Sequence, residues 1–322
     1  MVALGAVGGA AWYRRTHLAP SDSAIITGWW PEISQTWLLP DLHDARMIVP
    51  DRPHFRAEVE VPALREKIRR RRSFLVNTSA RRLRGDARSD RAVAVRILAV
   101  GDSVTFGWGV SDEQSWPALL EARLAATGVP VEVINAGVPA ASLDCMAAWL
   151  TTIAPGLGAH AVLFSKRPHP GPGSAEAFLA ALAASRKALP DARFACILPP
   201  VSTFDLDGMT SRREMHALLQ AHAGVPVVDL TDALLAARPQ SGVIVNGTTE
   251  EHSLLDVASR TVLTTGSRSH DSPLAKQIYT IMDADPTLKE PFFFDDCHPD
   301  ADGLAKMAAE VASIVAVEGW LG

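Results

Sequence analysis

Residues 96–110 read RILAVGDSVTFGWGV. An apolar run at 97–100 passes directly into Gly101-Asp102-Ser103, and glycines return at Gly107 and Gly109. An unbroken run of β-favouring residues reads as a strand buried on both faces, because a half-exposed strand would alternate apolar with polar. Gly101 permits a tight turn at the strand's end. If a helix follows, the Ser103 hydroxyl stands at the mouth of a sheet, beside free backbone N–H groups that favour developing negative charge. A serine there can also be a simple helix cap, and Thr105 breaks the G-x-S-x-G pattern of a nucleophile elbow. Ser103 therefore needs partners elsewhere before it reads as chemistry.

The pattern continues on the C-terminal side. Apolar runs recur at 131–134, 161–164, 194–198 and 225–230, and helix-period segments lie between them at 113–127, 143–153, 175–189 and 212–221. A last amphipathic helix is predicted over 303–318. Buried strands alternating with helices of this length predict an α/β fold, a parallel sheet of about five strands covered on both faces. Ligands of such sheets gather at the carboxyl ends of the strands, where Ser103 falls. Residues 237–291 interrupt the rhythm with a polar, weakly patterned insertion, long enough for two short helices and placed to act as a lid.

On the N-terminal side the chain changes character. Residues 18–92 form an extension with Trp29, Trp30 and Trp37 near its start and a crowd of arginines over 65–91. SFLVNTSARRLRGD, at 73–86, reads as a short hairpin or extended arm. The tryptophans suit either a sugar- or membrane-facing patch or packing of the arm on the domain. Residues 1–17 are apolar up to Tyr13 and then carry Arg14-Arg15, too short to span a bilayer, which takes roughly 20 residues. They read as the tail of a membrane anchor that begins upstream, or as an apolar end packed on the domain.

Composition narrows the classes. The chain is 48% hydrophobic and 21% charged with a net charge of -5, which argues against a dedicated nucleic-acid binder. Cys145, Cys196 and Cys297 are scattered, which predicts buried free thiols and neither a disulfide framework nor a metal site. His216 and His222, six apart on one predicted helix, do not stack on one face as ligands would.

The partner for Ser103 comes from FFFDDCHPDADGLAKMAAEVA, residues 292–312. A serine hydroxyl becomes a nucleophile when a base takes its proton and a third group holds the base in the right tautomer. His298 with Asp295 three residues earlier supplies both from one turn, and Asp296 lies too close in sequence to approach the ring comfortably. On its own, D-x-x-H is a weak signal. Paired with Gly-Asp-Ser after the first strand of the alternation, it is a much stronger one.

Three segments, ILAVGDSVTFGWGV, VEVINAGVPAAS and FFDDCHPDADGLAKMA, resemble in order the first, second and last sequence blocks of the SGNH/GDSL hydrolase superfamily. The resemblance spans 93–322, and FLVNTSARRLRGD is similar to an arm that precedes the domain in some bacterial members. It implies a flavodoxin-like three-layer α/β/α sandwich and hydrolysis of carbohydrate or lipid esters. Ser103 would be the nucleophile, His298 the base and Asp295 its orienter, with no metal or organic cofactor. Trp108, just beyond the serine turn, reads either as a wall of the substrate pocket, together with Asp102, or as a core residue of the following turn. The partner that the resemblance implies is a carbohydrate or lipid ester substrate, and residues 1–17 favour a membrane-associated or exported bacterial protein over a cytoplasmic one.

The resemblance implies three oxyanion donors as well. Two are backbone groups, the N–H of Ser103 and that of Ala140, which stands where the family has glycine. The third, an asparagine side chain after the third block's strand, is missing: AVLFSKRPHPGPG carries Lys166 and Arg167 there. Losing one such donor lowers turnover by about two to three orders of magnitude. Lys166 or Arg167 as a charged replacement, a site tuned to acyl transfer onto a cell-surface polysaccharide, and a binding protein without catalysis are the three readings that follow.

Overall fold

In the computed structural model the residues described are 25–50, 71–85, 93–167, 173–201, 206–236, 243–245, 248–250, 293 and 298–321. The expected anchor segment 1–17, most of the 237–291 insertion, Asp295 and Cys297 lie outside them.

Five parallel strands form the sheet: β5 (Val95–Gly101), β6 (Val131–Gly137), β7 (Ala161–Ser165), β8 (Arg193–Leu198) and β9 (Val227–Asp229), in the order β6-β5-β7-β8-β9. Alternate residues along each strand face opposite cores. Leu98, Val100, Ile134, Val162, Phe164 and Cys196 enter one apolar cluster, while Ile97, Ala99, Val133, Leu163, Ala195 and Ile197 enter the other. This is why the strands read as continuous apolar runs.

Helices cover both faces, which makes the fold a three-layer α/β/α sandwich. The first core is closed by α3 (Leu143–Thr152), α4 (Ser174–Ala188) and α5 (Leu206–His222), with Trp149, Phe178 and Leu219 fully buried. The second is closed by α2 (Trp116–Ala125), α6 (Leu230–Ala236) and α7 (Ala301–Val317), through Trp116, Leu120, Met307 and Val311. Between β5 and α2 lies a single helical turn, α1 (Ser103–Phe106). Within the insertion, β10 (Val243–Val245) and β11 (Thr248–Glu250) pair antiparallel.

The extension contributes two hairpin-like pairs. β1 (Thr27–Trp30) pairs with β2 (Gln35–Leu38), and β3 (Ala45–Pro50) pairs with β4 (Arg71–Val76). Residues 78–84 then close a turn through a Thr78–Arg84 bridge. Trp37 stacks flat on Trp149 of α3, with centroids 5.4 Å apart and planes at 1°, and donates its indole N–H to Arg82 O at 3.0 Å. Ile26, Trp30, Leu38, Met47, Phe74 and Leu83 belong to the same buried cluster. Packing on the domain thus accounts for Trp30 and Trp37, and Trp29 alone of the three is exposed. Among the described residues no helix is long and apolar enough to cross a membrane.

Candidate active site

The site grows out of two glycines. Gly101 and Gly137 end β5 and β6 in register. A Cβ on Gly101 would overlap the Thr105 hydroxyl, and one on Gly137 would overlap the Phe106 amide. Glycine at both strand ends is what allows α1 to lie directly on the sheet.

Asp102, and not Ser103, caps this helix: its carboxylate accepts from Val104 N at 3.1 Å. The simple capping reading of Ser103 is therefore replaced. Its hydroxyl lies 2.9 Å from His298 Nε2, across 195 residues of sequence. The expected dipole behind the serine is also smaller than the pattern suggested. α1 is one turn long, and Gly107 closes it in the left-handed region at φ 81°, so individual N–H groups face the site and not the end of a long helix.

His298 is held from both sides. Phe293 and Pro299 bridge across the loop that bears it, and both are buried. Asp300 caps α7, accepting from Gly303 N at 3.0 Å. Leu304 and Met307 then fix the helix in the second core.

Trp108 forms a wall beside the pair. Its backbone N–H donates to Ser103 O at 2.9 Å, its ring lies 6.3 Å from the His298 ring, and Phe74 of the arm meets it edge-on at 5.7 Å. Trp108 is partly buried, with its ring beside His298 and against the first core.

Ala140 occupies the second central position of a turn closed by Ala141 N donating to Val138 O at 3.0 Å. Its φ is 61°, the left-handed region, where a residue with a Cβ is less stable by about 1–2 kcal/mol. The glycine-to-alanine change thus retains the N–H at the expense of a strained turn.

Two expectations require correction. Asp102 does not border an open pocket. It is 4% exposed, and its second oxygen accepts from Lys166 Nζ at 3.1 Å and from Arg167 N at 3.2 Å. Burial alone would raise its pKa, but the Lys166 charge and the Val104 and Arg167 N–H groups outweigh burial and hold it below the usual carboxylate value. Lys166, in turn, does not reach out as a free donor. Its buried ammonium joins Asp102 and the Ala141 carbonyl, the latter at 2.7 Å, beneath the site. Arg167 meets Asp102 through its backbone.

Cys145 and Cys196 are buried free thiols, as expected, and burial pushes them up to about 11 and about 12. His216 lies 3.8 Å from Asp229, beside an Arg212–Asp229 ion pair of 2.6 Å.

One residue behind the site escaped the sequence reading. Arg84, from the arm, is buried and donates to the carbonyls of Phe106, Gly107 and Val110, the last at 2.6 Å, while its Nε meets Asp112 at 2.8 Å. Its own N–H donates to Asn135 O on β6 at 3.0 Å. Four arginines crowd residues 81–88, and only Leu83 and Gly85 on either side hint at which one turns inward.

Residues 99–243 match the model of the GDSL-like Lipase/Acylhydrolase family. Esterase TesA of Pseudomonas aeruginosa is 40% identical over 50 residues, a segment that is 16% of this chain and 25% of that esterase. Two solved structures are similar in fold. The lipase/acylhydrolase from Enterococcus faecalis gives a TM-score of 0.43 at 17% identity, covering 69% of this chain and 95% of that one. The acetyl xylan esterase AlAXEase gives 0.44 at 14%, covering 69% and 100%. The family match covers just under half of the chain and includes the Gly-Asp-Ser turn that ends β5.

Proposed function

We propose that the protein is a serine esterase that cleaves acetyl or short-chain acyl esters of a carbohydrate or lipid through an acyl-enzyme on Ser103. The observation that carries this reading is the 2.9 Å approach of His298 Nε2 to Ser103 Oγ, within the range a general base needs. In the first step Oγ attacks the ester carbonyl carbon while its proton passes to Nε2. The carbonyl oxygen takes up the negative charge and accepts from the N–H groups of Ser103 and Ala140. The carbon–oxygen bond to the alcohol then breaks, and His298 returns the proton to the leaving oxygen. Water repeats the sequence on the acyl-enzyme and frees the acid. Asp295 holds the imidazole tautomer in this scheme, by analogy with the family. The bulk of Trp108 beside His298 favours a short acyl group.

The test is labelling by a fluorophosphonate probe. Wild type is expected to label, and Ser103→Ala and His298→Ala each to lose at least about 1000-fold in labelling rate. A folded wild type that never labels would remove the esterase reading in favour of a binding protein. In the labelled case, hydrolysis of acetyl to decanoyl esters ranks acyl length. Slow hydrolysis with acyl transfer to an added oligosaccharide would instead make the protein an O-acyltransferase.

A further inference from the structure

We propose that Lys166 is a positioning residue of the oxyanion site, tying the turn that carries Ser103 to the strained turn that carries Ala140. The inference rests on the esterase reading above and concerns how this chain manages without the family's third donor. The two backbone donors lie on different segments. Ser103 follows Asp102 at the end of β5, and Ala140 follows β6 in the turn 138–141. The direct backbone link between them is Val138 N donating to Gly101 O at 3.0 Å, at the root of both turns. Lys166 closes the other end. Its ammonium donates to Asp102 Oδ2 at 3.1 Å and to Ala141 O at 2.7 Å, so one side chain grips the residue before the serine and the residue after Ala140.

Three physical arguments make this more than a packing contact. Ala140 sits at φ 61°, a conformation that persists only where its surroundings over-determine it, and Lys166 holds the carbonyl at the turn's exit. Asp102 is the cap of α1, and the same carboxylate takes Val104 N, Arg167 N and Lys166 Nζ, so the ion pair sets the orientation of the helix whose first residue is Ser103. The pair is also almost wholly removed from water, with side chains 10% and 6% exposed, where a charged hydrogen bond is stiffer than on a surface. Lys166 follows directly on β7, and its own N–H donates to Ile197 O at 3.3 Å, which anchors its backbone to the sheet. The lysine thus supplies geometry to two amide donors from below, in a loop where the family has a donor of its own.

The experiment combines hydrogen exchange with kinetics on the full chain, using p-nitrophenyl acetate as substrate. Lys166→Met is expected to speed amide exchange about 10-fold in peptides covering both 102–106 and 138–142, with the centre of the sheet unchanged. The same variant is expected to lower kcat by up to about 100-fold, with KM little changed, since a small misplacement of donors acts on the transition state. Lys166→Arg is expected to recover part of both effects.

Should Lys166→Met fail to fold, Asp102→Asn gives the decisive reading. It is expected to loosen 138–142, a segment to which Asp102 connects through Lys166. A fall in kcat with exchange unchanged in both segments would overturn the proposal, because Lys166 would then act directly on the substrate oxygen. A wild type that fluorophosphonate does not label, with the exchange responses intact, removes the esterase reading and leaves the tie between the turns standing. Unchanged exchange beside a labelled wild type does the reverse.

Discussion

Two buried cations stand behind the serine helix, and they hold it in different ways. Arg84 comes from the arm, outside the family match at 99–243, and grips the exit of α1: the backbone carbonyls of Phe106, Gly107 and Val110 all point at one guanidinium, balanced by Asp112. Lys166 comes from inside the match and grips the entrance, as a single ammonium between Asp102 and one carbonyl. The planar fork of arginine can satisfy several diverging acceptors at once, whereas lysine acts as a point charge that two groups must approach. The arm therefore works as part of the site's foundation. It supplies a buried polar knot beneath Ser103, and through Phe74 it also backs the Trp108 wall.

That comparison can be broken experimentally, beginning at the arginine. Arg84→Met should lower unfolding stability by about 3–5 kcal/mol in urea titrations, because it removes a buried ion pair together with three charged hydrogen bonds, leaving Asp112 only the two donors of Asn77. Arg84→Lys should recover little of it, since one ammonium cannot reach the same acceptors. Full recovery by lysine would make the two knots equivalent.

The lysine knot is expected to be weaker and to depend on pH. Asp102→Asn should cost about 2 kcal/mol at neutral pH. The pKa of Asp102 is depressed in the fold, so its contribution is complete above the unfolded value and is lost as pH falls through the folded one. The gap between wild type and Asp102→Asn should therefore hold from neutral pH down to the usual carboxylate range and close only in stronger acid. A gap that widened on acidification would contradict the assigned direction.

The smallest effect belongs to the turn. Ala140→Gly relieves left-handed strain of about 1–2 kcal/mol but gives the unfolded chain about 0.4–1 kcal/mol more freedom. A net gain of about 0.5–1 kcal/mol in urea midpoint measurements is expected. A net loss would mean that the strain at φ 61° is already relaxed by its surroundings.

How far the sequence could be read depends on the range of the interaction. The strands at 97–100, 131–134, 161–164 and 194–198 were legible because burial on both faces leaves an unbroken apolar run, and the ends moved by only one to three residues. Ser103 and His298 were legible for a different reason: each stands in a short pattern whose local chemistry is informative, and the structure brings the two side chains to 2.9 Å. The length of α1 was not legible, since the pattern beyond Ser103 does not register that Gly107 ends the helix after one turn.

By itself, then, the sequence determined the layers, the sheet and the serine–histidine pair, all of which rest on local periodicity or short motifs. Only the tertiary structure decided which polar side chains work beneath the site. Arg84 is one of several neighbouring arginines, Lys166 read as a donor facing the substrate, and Asp102 read as a pocket residue. Apart from the Val104 cap on Asp102, their partners lie 22 to 65 residues away in the chain. A buried polar group must find whichever acceptor the packing brings near, so its role is settled by the fold as a whole and leaves no mark in the residues beside it.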